Sequence, residues 1–234
     1  MTKTVVYAGT RNVYPCMAAA AKSLLRHTAV DRVYFLIEDD SFPEALPDLI
    51  QCVNVSGQDL FNPAGPNYGS RWTYMTLMRL ALPYVIPFIL PERVLYLDVD
   101  TIVTGDISEV FDLDMGGYAL AAVREPGRCK NPFVYYNTGV LLIDLPAMGA
   151  HGIADDLINM VNRRKLDFPD QDAVNLRCQG RIKEISPIYN SCPWTSQPPD
   201  AKIIHFAADK DYAQRSLFQE YMRMDWSEIS AGKE

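Results

Sequence analysis

The sequence has no apolar run as long as the roughly 18–20 residues that a membrane-spanning helix needs. The longest apolar stretch, around residues 80–90, is interrupted by Pro83 and Pro87. The chain enters its first apolar run at residues 5–7 without the cleavage pattern of a signal peptide. These absences predict no membrane span and a cytoplasmic location.

The sequence also has few cysteines and no excess of basic charge. The five cysteines are scattered and show no CxxC spacing, which is typical of reduced thiols rather than of a disulfide framework. Lys and Arg total 22 against 29 for Asp and Glu, so the formal net charge is -7. Proteins that bind nucleic acid normally carry a basic excess or stripe, and we therefore expect no nucleic-acid partner.

The chain is long enough and apolar enough for a substantial core. Its 234 residues fit one large α/β domain or two small ones, and 48% of them are hydrophobic. Strand-like and helix-like segments alternate, and no repeat or low-complexity linker divides them, which predicts one α/β domain with a largely parallel, helix-covered sheet. Strands are predicted at residues 5–8, 32–37, 51–55, 93–97, 118–123, 134–143 and 203–204, and helices at 14–27, 42–50, 70–84, 153–164, 171–179 and 212–224.

The most informative segment is a buried strand that runs into two aspartates. Residues 93–97 are followed directly by Asp98, Val99 and Asp100. Residues i and i+2 of an extended chain point the same way, so both carboxylates can face one ion at the carboxyl end of the strand. That edge is where open α/β sheets bind ligands, and hard oxygen donors suit Mg²⁺ or Mn²⁺. Such an ion would neutralise the charge of a leaving diphosphate.

Two other interpretations of this pair stay open on these residues alone. Both aspartates could be turn or N-cap residues on a solvated loop, because Asp-x-Asp is a common pattern. A strand followed by Asp-x-Asp-x-Thr also fits the nucleophile motif of haloacid-dehalogenase-type phosphatases. That motif usually lies on the first strand of its domain, whereas at least three predicted strands precede it here. The phosphatase also needs a later lysine beside a further acidic pair, and Lys130, Lys165 and Lys183 show no such setting.

Four further segments make the pattern specific when they are taken in order with the aspartate pair. They are an arginine ahead of the strand, an Asn-Thr-Gly within a later strand, an Asp-Gln pair that opens a helix and a histidine after a short strand: Arg79, Asn137-Thr138-Gly139, Asp170-Gln171 and His205. Together they resemble glycosyltransferase family 8, which includes glycogenin and bacterial lipopolysaccharide galactosyl- and glucosyltransferases. The resemblance spans nearly the whole chain, from Val5 to His205.

The resemblance implies a GT-A fold, a Rossmann-like, mixed but mostly parallel sheet flanked by helices that binds a UDP-sugar donor and Mn²⁺ or Mg²⁺. It implies transfer of a hexose, glucose or galactose, with retention of anomeric configuration. The acceptor is left open among a saccharide, a lipid-linked sugar and a protein. The expected division of the single domain, residues 1–234, is a nucleotide-binding part at about 1–105, a sugar and acceptor part at about 106–210 and a C-terminal helix at about 211–230.

Positions that match the family's motifs imply individual roles. The implied metal ligands are Asp98, Asp100 and His205. The implied nucleotide-binding residues, among which Tyr14 could stack on the base, are Ala8, Thr10, Asn12, Tyr14, Val99 and Lys210. The implied sugar- or diphosphate-binding residues are Arg79, Asn137 and Thr138. The implied catalytic residues are Asp170 and Gln171.

The chain departs from the family's pattern in two places. The early base-binding loop has Thr10-Arg11 where many relatives have an Asp or Asn. After His205 the family commonly has a Gly three positions on and a Lys six positions on, whereas this chain has Ala208 and then Lys210, one position early. These departures keep a non-catalytic nucleotide-sugar binder as a third interpretation.

Overall fold

The strands of the fold are short apolar runs, as strands that are covered on both faces require. In the computed structural model, which describes residues 2–70, 72–86, 92–130 and 132–230, nine strands form. They are β1 (Thr4–Ala8), β2 (Arg32–Ile37), β3 (Ile50–Asn54), β4 (Arg93–Leu97), β5 (Thr101–Val103), β6 (Leu120–Arg124), β7 (Tyr136–Asp144), β8 (Ile182–Glu184) and β9 (Ile203–His205).

Seven of these strands form one sheet in the order β3-β2-β1-β4-β7-β6-β8. Strand β7 runs antiparallel to its neighbours β4 and β6, and the other pairings are parallel. Strands β5 and β9 form a separate antiparallel pair in which Thr101 lies opposite His205. The predicted mixed, mostly parallel sheet is therefore confirmed.

Helices cover both faces of the sheet. Within the described residues they are α1 (Tyr14–His27), α2 (Leu82–Val85), α3 (Ser108–Phe111), α4 (Leu145–Ala150), α5 (Ile153–Arg163), α6 (Pro169–Arg177), α7 (Ser216–Arg223) and α8 (Trp226–Ser230). Successive residues of a strand face opposite sides. Accordingly, Val6 and Tyr96 pack into one buried cluster, and Val5 and Leu95 pack into another on the opposite face. No helix of the described chain is long and apolar enough to cross a membrane.

Two predicted helices are wrong, and proline explains both errors. No helix forms over residues 42–49, which the structure describes in full. Pro47 lacks an N–H and its ring clashes with the carbonyl four residues earlier. The predicted helix at residues 70–84, of which Arg71 is not described, is instead a 3-10 segment, Tyr74–Leu80, followed by α2. Pro83 ends the first segment for the same reason.

Other predicted elements are correct in kind but shifted at their ends. Helix α6 begins at Pro169 rather than at residue 171, and β6 begins at Leu120 rather than at residue 118. The predicted helix at residues 212–224 is divided by Arg215, whose backbone is extended and whose Nε donates to Asp209 Oδ2 at 2.7 Å. Arg215 therefore separates a 3-10 turn, Tyr212–Gln214, from helix α7.

Candidate active site

The two aspartates lie at the carboxyl end of β4, near the middle of the sheet. The backbone N–H of Asp98 donates to the carbonyl of Gly139 on β7 at 2.8 Å. Thr101 then donates its N–H and its hydroxyl to the carbonyl of Asp98, at 3.2 and 2.7 Å, which closes a tight turn. Strand β5 starts at that turn, and its pairing with β9 brings His205 back to the aspartates across nearly half of the chain.

Asp98, Asp100 and His205 form a cluster suited to a divalent ion, which we call the metal corner. One ligand atom of each residue lies within 4.8 Å of the other two. His205 Nε2 is 3.3 Å from Asp100 Oδ1 and 3.9 Å from Asp98 Oδ2. Two carboxylates and one imidazole are ligands that divalent ions such as Mn²⁺ accept. The three ligands implied by the resemblance therefore converge.

Gly139 leaves the space that the metal corner needs. A Cβ at this position would overlap the Cε1 of His205 and would lie 2.8 Å from Asp98 Oδ2. Any other residue would push the imidazole or the carboxylate away from the shared point. This close approach gives a physical reason for the glycine in the Asn-Thr-Gly sequence.

A chain of amides holds His205 in one orientation. His205 Nδ1 lies 2.9 Å from the side-chain oxygen of Asn190, which is fully buried. Asn190 in turn donates its Nδ2 to Asn137 Oδ1 at 2.9 Å. With Nδ1 donating to the amide oxygen of Asn190, Nε2 faces the carboxylates and can bind a metal ion when it carries no proton. The sequence interpretation missed Asn190, because a lone Asn in a loop gives no signal.

The ionisable groups of the metal corner shift one another's pKa values. Burial raises the pKa of Asp98, and the positive charge of Arg79 only partly opposes the rise. Burial acts in the same direction on Asp100, but His205 outweighs it and the pKa of Asp100 lies below its usual value. Burial tends to lower the pKa of His205, yet the neighbouring Asp100 outweighs it and the pKa is raised. Two carboxylates this close favour a cation beside them.

Arg79 is buried behind the metal corner and binds protein groups. Its Nη2 is 2.6 Å from Asp98 Oδ1, its Nε is 3.2 Å from Asp170 Oδ2, and its Nη1 donates to the carbonyl of Thr138 at 2.7 Å. Its guanidinium also lies 4.3 Å from the ring centre of Tyr96. Buried arginine requires such pairing. In this arrangement Arg79 holds the carboxylates of two distant elements in place.

The Asn-Thr-Gly strand and helix α6 meet in a second group of contacts. Thr138 donates its hydroxyl to Asp170 Oδ2 at 2.9 Å, and its N–H to Gln171 Oε1 at 3.2 Å. Asp170 and Gln171 lie in the first turn of α6, where acidic residues are favoured by the helix dipole. The predicted sugar and catalytic residues are therefore in direct contact with one another.

Glu125 is a buried carboxylate that the sequence interpretation missed. It follows β6 and is only 3% exposed. Its Oε2 accepts from Asn137 Nδ2 at 3.3 Å and from Gln171 Nε2 at 3.1 Å, while its Oε1 is 2.7 Å from Arg128 Nε. An acidic residue directly after a strand that runs parallel to β4 lies at the same edge of the sheet as Asp98. Glu125 could therefore have been predicted as a site residue from its position after β6. We call Arg79, Glu125, Asn137, Thr138, Asp170, Gln171 and Asn190 the buried network.

The predicted nucleotide-binding residues mostly surround the loop after β1. Ala8 ends β1, and Gly9 donates its N–H to the carbonyl of Leu36 at 3.1 Å. A Cβ built on Gly9 would lie 3.5 Å from Val99 Cγ1, so this loop and the aspartate turn are neighbours. The side chains of Thr10 and Asn12 contact each other, and Asn12 is exposed.

Tyr14 occupies a different place from the one expected. Its ring is 1% exposed and packs 5.0 Å from the ring of Phe42, so it has no free face for a base. Its hydroxyl accepts from the N–H of Glu38 and donates to Asp39 Oδ2, both at 3.0 Å. Burial is the main cause that raises the pKa of Tyr14 to about 12, and the carboxylate of Asp39 adds to it, whereas the hydrogen bond from the Glu38 N–H acts in the opposite direction. The stacking role is therefore corrected to one of positioning residues 38–39 beside the loop.

The segment after His205 carries the departures from the family pattern. Phe206 donates its N–H to the carbonyl of Asp100 at 2.9 Å, which fixes the start of the segment at the metal corner. Ala208 has a φ of 63°, in the left-handed region that favours glycine. Lys210 is exposed, and it forms no ion pair with any residue that the structure describes. The role of Lys210 as a diphosphate ligand therefore stays a prediction.

The chain matches one family over most of its length. A model of glycosyl transferase family 8 matches residues 4–211. Glycosyltransferase GlyE of Streptococcus pneumoniae serotype 4 (strain ATCC BAA-334 / TIGR4) is 28% identical over 97% of this chain and 62% of its own length. General stress protein A of Bacillus subtilis (strain 168) is 31% identical over 52% of this chain and 47% of its own length. The chain thus spans less than two thirds of these relatives.

Solved structures show the same fold. The galactosyltransferase LgtC, in complex with donor and acceptor sugar analogs, superposes with a TM-score of 0.78 at 20% identity, covering 98% of this chain and 99% of that chain. The structure of GlyE from Streptococcus pneumoniae TIGR4 gives a TM-score of 0.73 at 26% identity, covering 98% of this chain and 62% of that chain. The GT-A fold expected from the sequence is confirmed.

Proposed function

Because the chain belongs to glycosyl transferase family 8, we propose that it is a retaining transferase that moves a hexose from a UDP-sugar to an acceptor hydroxyl. The observation that carries the proposal is the metal corner, where ligand atoms of Asp98, Asp100 and His205 lie within 4.8 Å of one another. The metal corner lies at the carboxyl edge of the sheet and directly beside the buried network. Open α/β sheets bind ligands at this edge.

The metal corner is proposed to hold Mn²⁺ through Asp98, Asp100 and His205. When bound, such an ion supplies positive charge that stabilises a departing diphosphate. The imidazole favours Mn²⁺ over Mg²⁺, since nitrogen ligands suit transition ions better. Arg79 supports this step indirectly, because it fixes the carboxylate of Asp98 from behind.

The buried network is proposed to hold the donor sugar in a reactive orientation. Asp170 would accept hydrogen bonds from sugar hydroxyls, and the amide of Gln171 would face the positive charge that develops at the anomeric carbon. Asn137 and Thr138, on β7, would form the rest of the proposed sugar site. The acceptor hydroxyl would attack from the face that the diphosphate leaves, through an oxocarbenium-like transition state, and its proton would pass to the departing diphosphate as the bond between the anomeric carbon and UDP breaks.

The nucleotide is proposed to lie along the loop after β1. Ala8, Thr10, Asn12 and Val99 would contact the uridine, because this loop adjoins the aspartate turn. Lys210, exposed in the segment after His205, would need to turn toward the diphosphate to take part. In this proposal residues 1–105 bind the nucleotide, residues 106–210 bind sugar and acceptor, and the protein acts in the cytoplasm.

A UDP-release assay tests the proposal. The protein is incubated with UDP-glucose, UDP-galactose or UDP-N-acetylglucosamine, each with Mn²⁺ and with a chelator. We expect UDP release from one of the two hexose donors that depends on Mn²⁺. The proposal fails if no donor yields UDP and calorimetry detects no binding of UDP in the presence of Mn²⁺. Binding of UDP without release from any donor or transfer to any acceptor would instead identify a non-catalytic binder. This second candidate is kept because the segment at Ala208 and Lys210 departs from the family pattern.

The haloacid-dehalogenase-type phosphatase is disfavoured by the family match, and it predicts a different experiment. Its aspartate would be a nucleophile, so a generic phosphomonoester would be hydrolysed and Asp98→Asn would abolish that hydrolysis. We expect no such hydrolysis, because Asp98 is held in an ion pair with Arg79 at 2.6 Å.

A further inference from the structure

One arginine at the edge of the buried network has no role in the proposed function. Arg128 ends a 3-10 turn, Pro126–Arg128, that directly follows Glu125 after β6. Its side chain is partly exposed, and its Nε is 2.7 Å from the buried Oε1 of Glu125. Among the residues that the structure describes, Arg128 is the only cation within ion-pair distance of Glu125. A buried carboxylate depends strongly on such a partner.

The backbone brings Arg128 to this carboxylate. The Arg128 N–H donates to the carbonyl of Glu125 at 3.1 Å, and the Cys129 N–H donates to the carbonyl of Pro126 at 3.1 Å. Pro126, at the start of the turn, restricts the backbone further. Residues three apart in a helical turn lie on the same side of it. The turn itself therefore places the guanidinium beside the carboxylate.

Two aromatic rings also contact the guanidinium. The Cζ of Arg128 lies 3.7 Å from the ring centre of Phe168 and 5.4 Å from that of Tyr135. Phe168 is the N-cap residue of α6, and Tyr135 directly precedes β7. Asp172 joins these two residues, because it accepts the Phe168 N–H at 2.9 Å and the Tyr135 hydroxyl at 2.5 Å. Arg128 therefore contacts the starts of both elements that form the proposed sugar site.

The second oxygen of the Glu125 carboxylate fixes the amide of Gln171. Gln171 Nε2 donates to Glu125 Oε2 at 3.1 Å, and Gln171 Oε1 accepts the N–H of Thr138 at 3.2 Å. A carboxylate only accepts hydrogen bonds, and a backbone N–H only donates them. These two partners therefore allow one orientation of the amide, because a flipped amide would bring donor against donor and acceptor against acceptor.

We propose that Arg128 is a positioning residue for the transfer step. It holds the carboxylate of Glu125 against Gln171, and Glu125 in turn fixes the amide. The inference rests on the proposed function, in which this amide faces the charge that develops at the anomeric carbon. The described contacts of Arg128 lie with Glu125, Phe168 and Tyr135 rather than with the metal corner. Its loss should therefore slow the transfer and leave nucleotide binding unchanged.

Steady-state UDP release, with the donor that wild type uses best, tests the proposal by separating kcat from KM. The proteins are wild type, Arg128→Met, Arg128→Lys, Glu125→Gln and the double variant of Arg128→Met with Glu125→Gln. Arg124→Met is the matched control, since Arg124 also ends β6 but pairs with the half-exposed Glu184 at 3.1 Å, outside the buried network. Calorimetry of UDP with Mn²⁺ checks the nucleotide site of every variant.

We expect Arg128→Met to lower kcat roughly 100-fold, with the KM of the donor and the affinity for UDP close to those of wild type. Arg128→Lys should recover part of the loss, because an ammonium group keeps the charge but not the planar contact with Phe168. Arg124→Met should keep the wild-type kcat. The double variant should be no slower than Glu125→Gln alone, because both changes act through one contact.

The side-chain amide of Gln171 gives a second measurement that does not depend on turnover. Its resonances in a proton–nitrogen correlation NMR spectrum can be assigned by their absence in Gln171→Met. We expect them to shift in Arg128→Met and to stay in place in Arg124→Met. Arg128→Gln replaces Arg128→Met in both measurements if the methionine variant does not fold.

Three results would overturn the positioning role while the proposed function stands. They are a wild-type kcat in Arg128→Met, an unshifted amide resonance of Gln171 in that variant, and a double variant much slower than Glu125→Gln alone. A loss of UDP affinity in Arg128→Met as large as its loss of kcat would also overturn the role, because Arg128 would then serve the nucleotide site. Wild type that releases no UDP from any donor would instead contradict the proposed function itself.

Discussion

The metal corner and the buried network adjoin each other, but they differ in how fully their polar atoms are paired. In the buried network donors meet acceptors throughout, as in the contacts of Glu125 with Asn137, Gln171 and Arg128. In the metal corner two carboxylates share one imidazole, so their negative charge is only partly neutralised. The groups of the metal corner are arranged to receive a ligand, and the groups of the buried network hold the metal corner in place.

Arg79 is the residue that joins the two regions, so its removal should have the largest effect on both. Arg79→Ala leaves Asp98 and Asp170 without their shared cation, and we expect a loss of about 3–5 kcal/mol in the free energy of unfolding. Urea unfolding measures it. Arg177→Ala is the control, because Arg177 pairs with the half-exposed Asp156 and should cost less than about 1 kcal/mol. Equal losses in the two variants would contradict the joining role of Arg79.

Gly139→Ala should damage the metal corner alone. The added methyl group would overlap the ring of His205, so we expect metal-dependent turnover to fall by more than about 100-fold while the sheet still forms. UDP release from the best donor is the measurement. Gly149→Ala on α4, where a Cβ would meet nothing within 4 Å, is the control and should keep full activity. An active Gly139→Ala enzyme would show that His205 does not act at this point.

Glu125→Gln should affect the buried network and spare the metal corner. The new NH₂ group would face Arg128 or the amides of Asn137 and Gln171, all of which are donors. We expect a cost of about 1–3 kcal/mol in stability and a fall in kcat of about 100-fold from misplaced sugar contacts. Binding of UDP with Mn²⁺ should stay within experimental error of wild type, as calorimetry can show. A variant that loses UDP binding but keeps its kcat would reverse the assignment of the two regions.

Ala208→Gly should have the smallest effect, and a favourable one. A left-handed alanine costs about 1–2 kcal/mol, whereas glycine adds about 0.4–1 kcal/mol of freedom to the unfolded chain. We therefore expect a gain of about 0.5–1 kcal/mol, seen as a higher Tm. Ala207→Gly, at a residue without positive φ, is the control and should lower the Tm. A lower Tm for Ala208→Gly would mean that this segment adopts another conformation in solution.

The sequence predicted the parts of this molecule that depend on local pattern. Strand β4 and helix α1 follow from apolar runs and from Pro15 in a first turn, and the aspartate pair follows from the end of β4. The resemblance to a known family supplied His205 and the residues of β7 and α6. Proline at positions 47 and 83 should have prevented two wrong helices, since a missing N–H is visible in the sequence.

The remaining features depend on tertiary contacts that a single sequence does not display. Asn190 acts only because β9 places His205 beside it, and Gly139 acts only because that ring crosses β7. The burial of Tyr14 under Phe42 likewise required the fold, since a tyrosine in a first helical turn can face either the core or a ligand. These residues position others, and positioning depends on the partner rather than on local sequence.

The central claim is that the aspartate turn binds UDP through a metal ion. Asp100 tests this claim most directly, because Arg79 forms its ion pairs with Asp98 and Asp170 and not with Asp100. The measurement is calorimetric titration of UDP into wild type and Asp100→Ala, with Mn²⁺ and with a chelator. We predict that wild type binds UDP only with Mn²⁺ and that Asp100→Ala weakens this binding by more than about tenfold, at least about 1.4 kcal/mol. Equal, Mn²⁺-dependent affinity in both proteins would contradict the account.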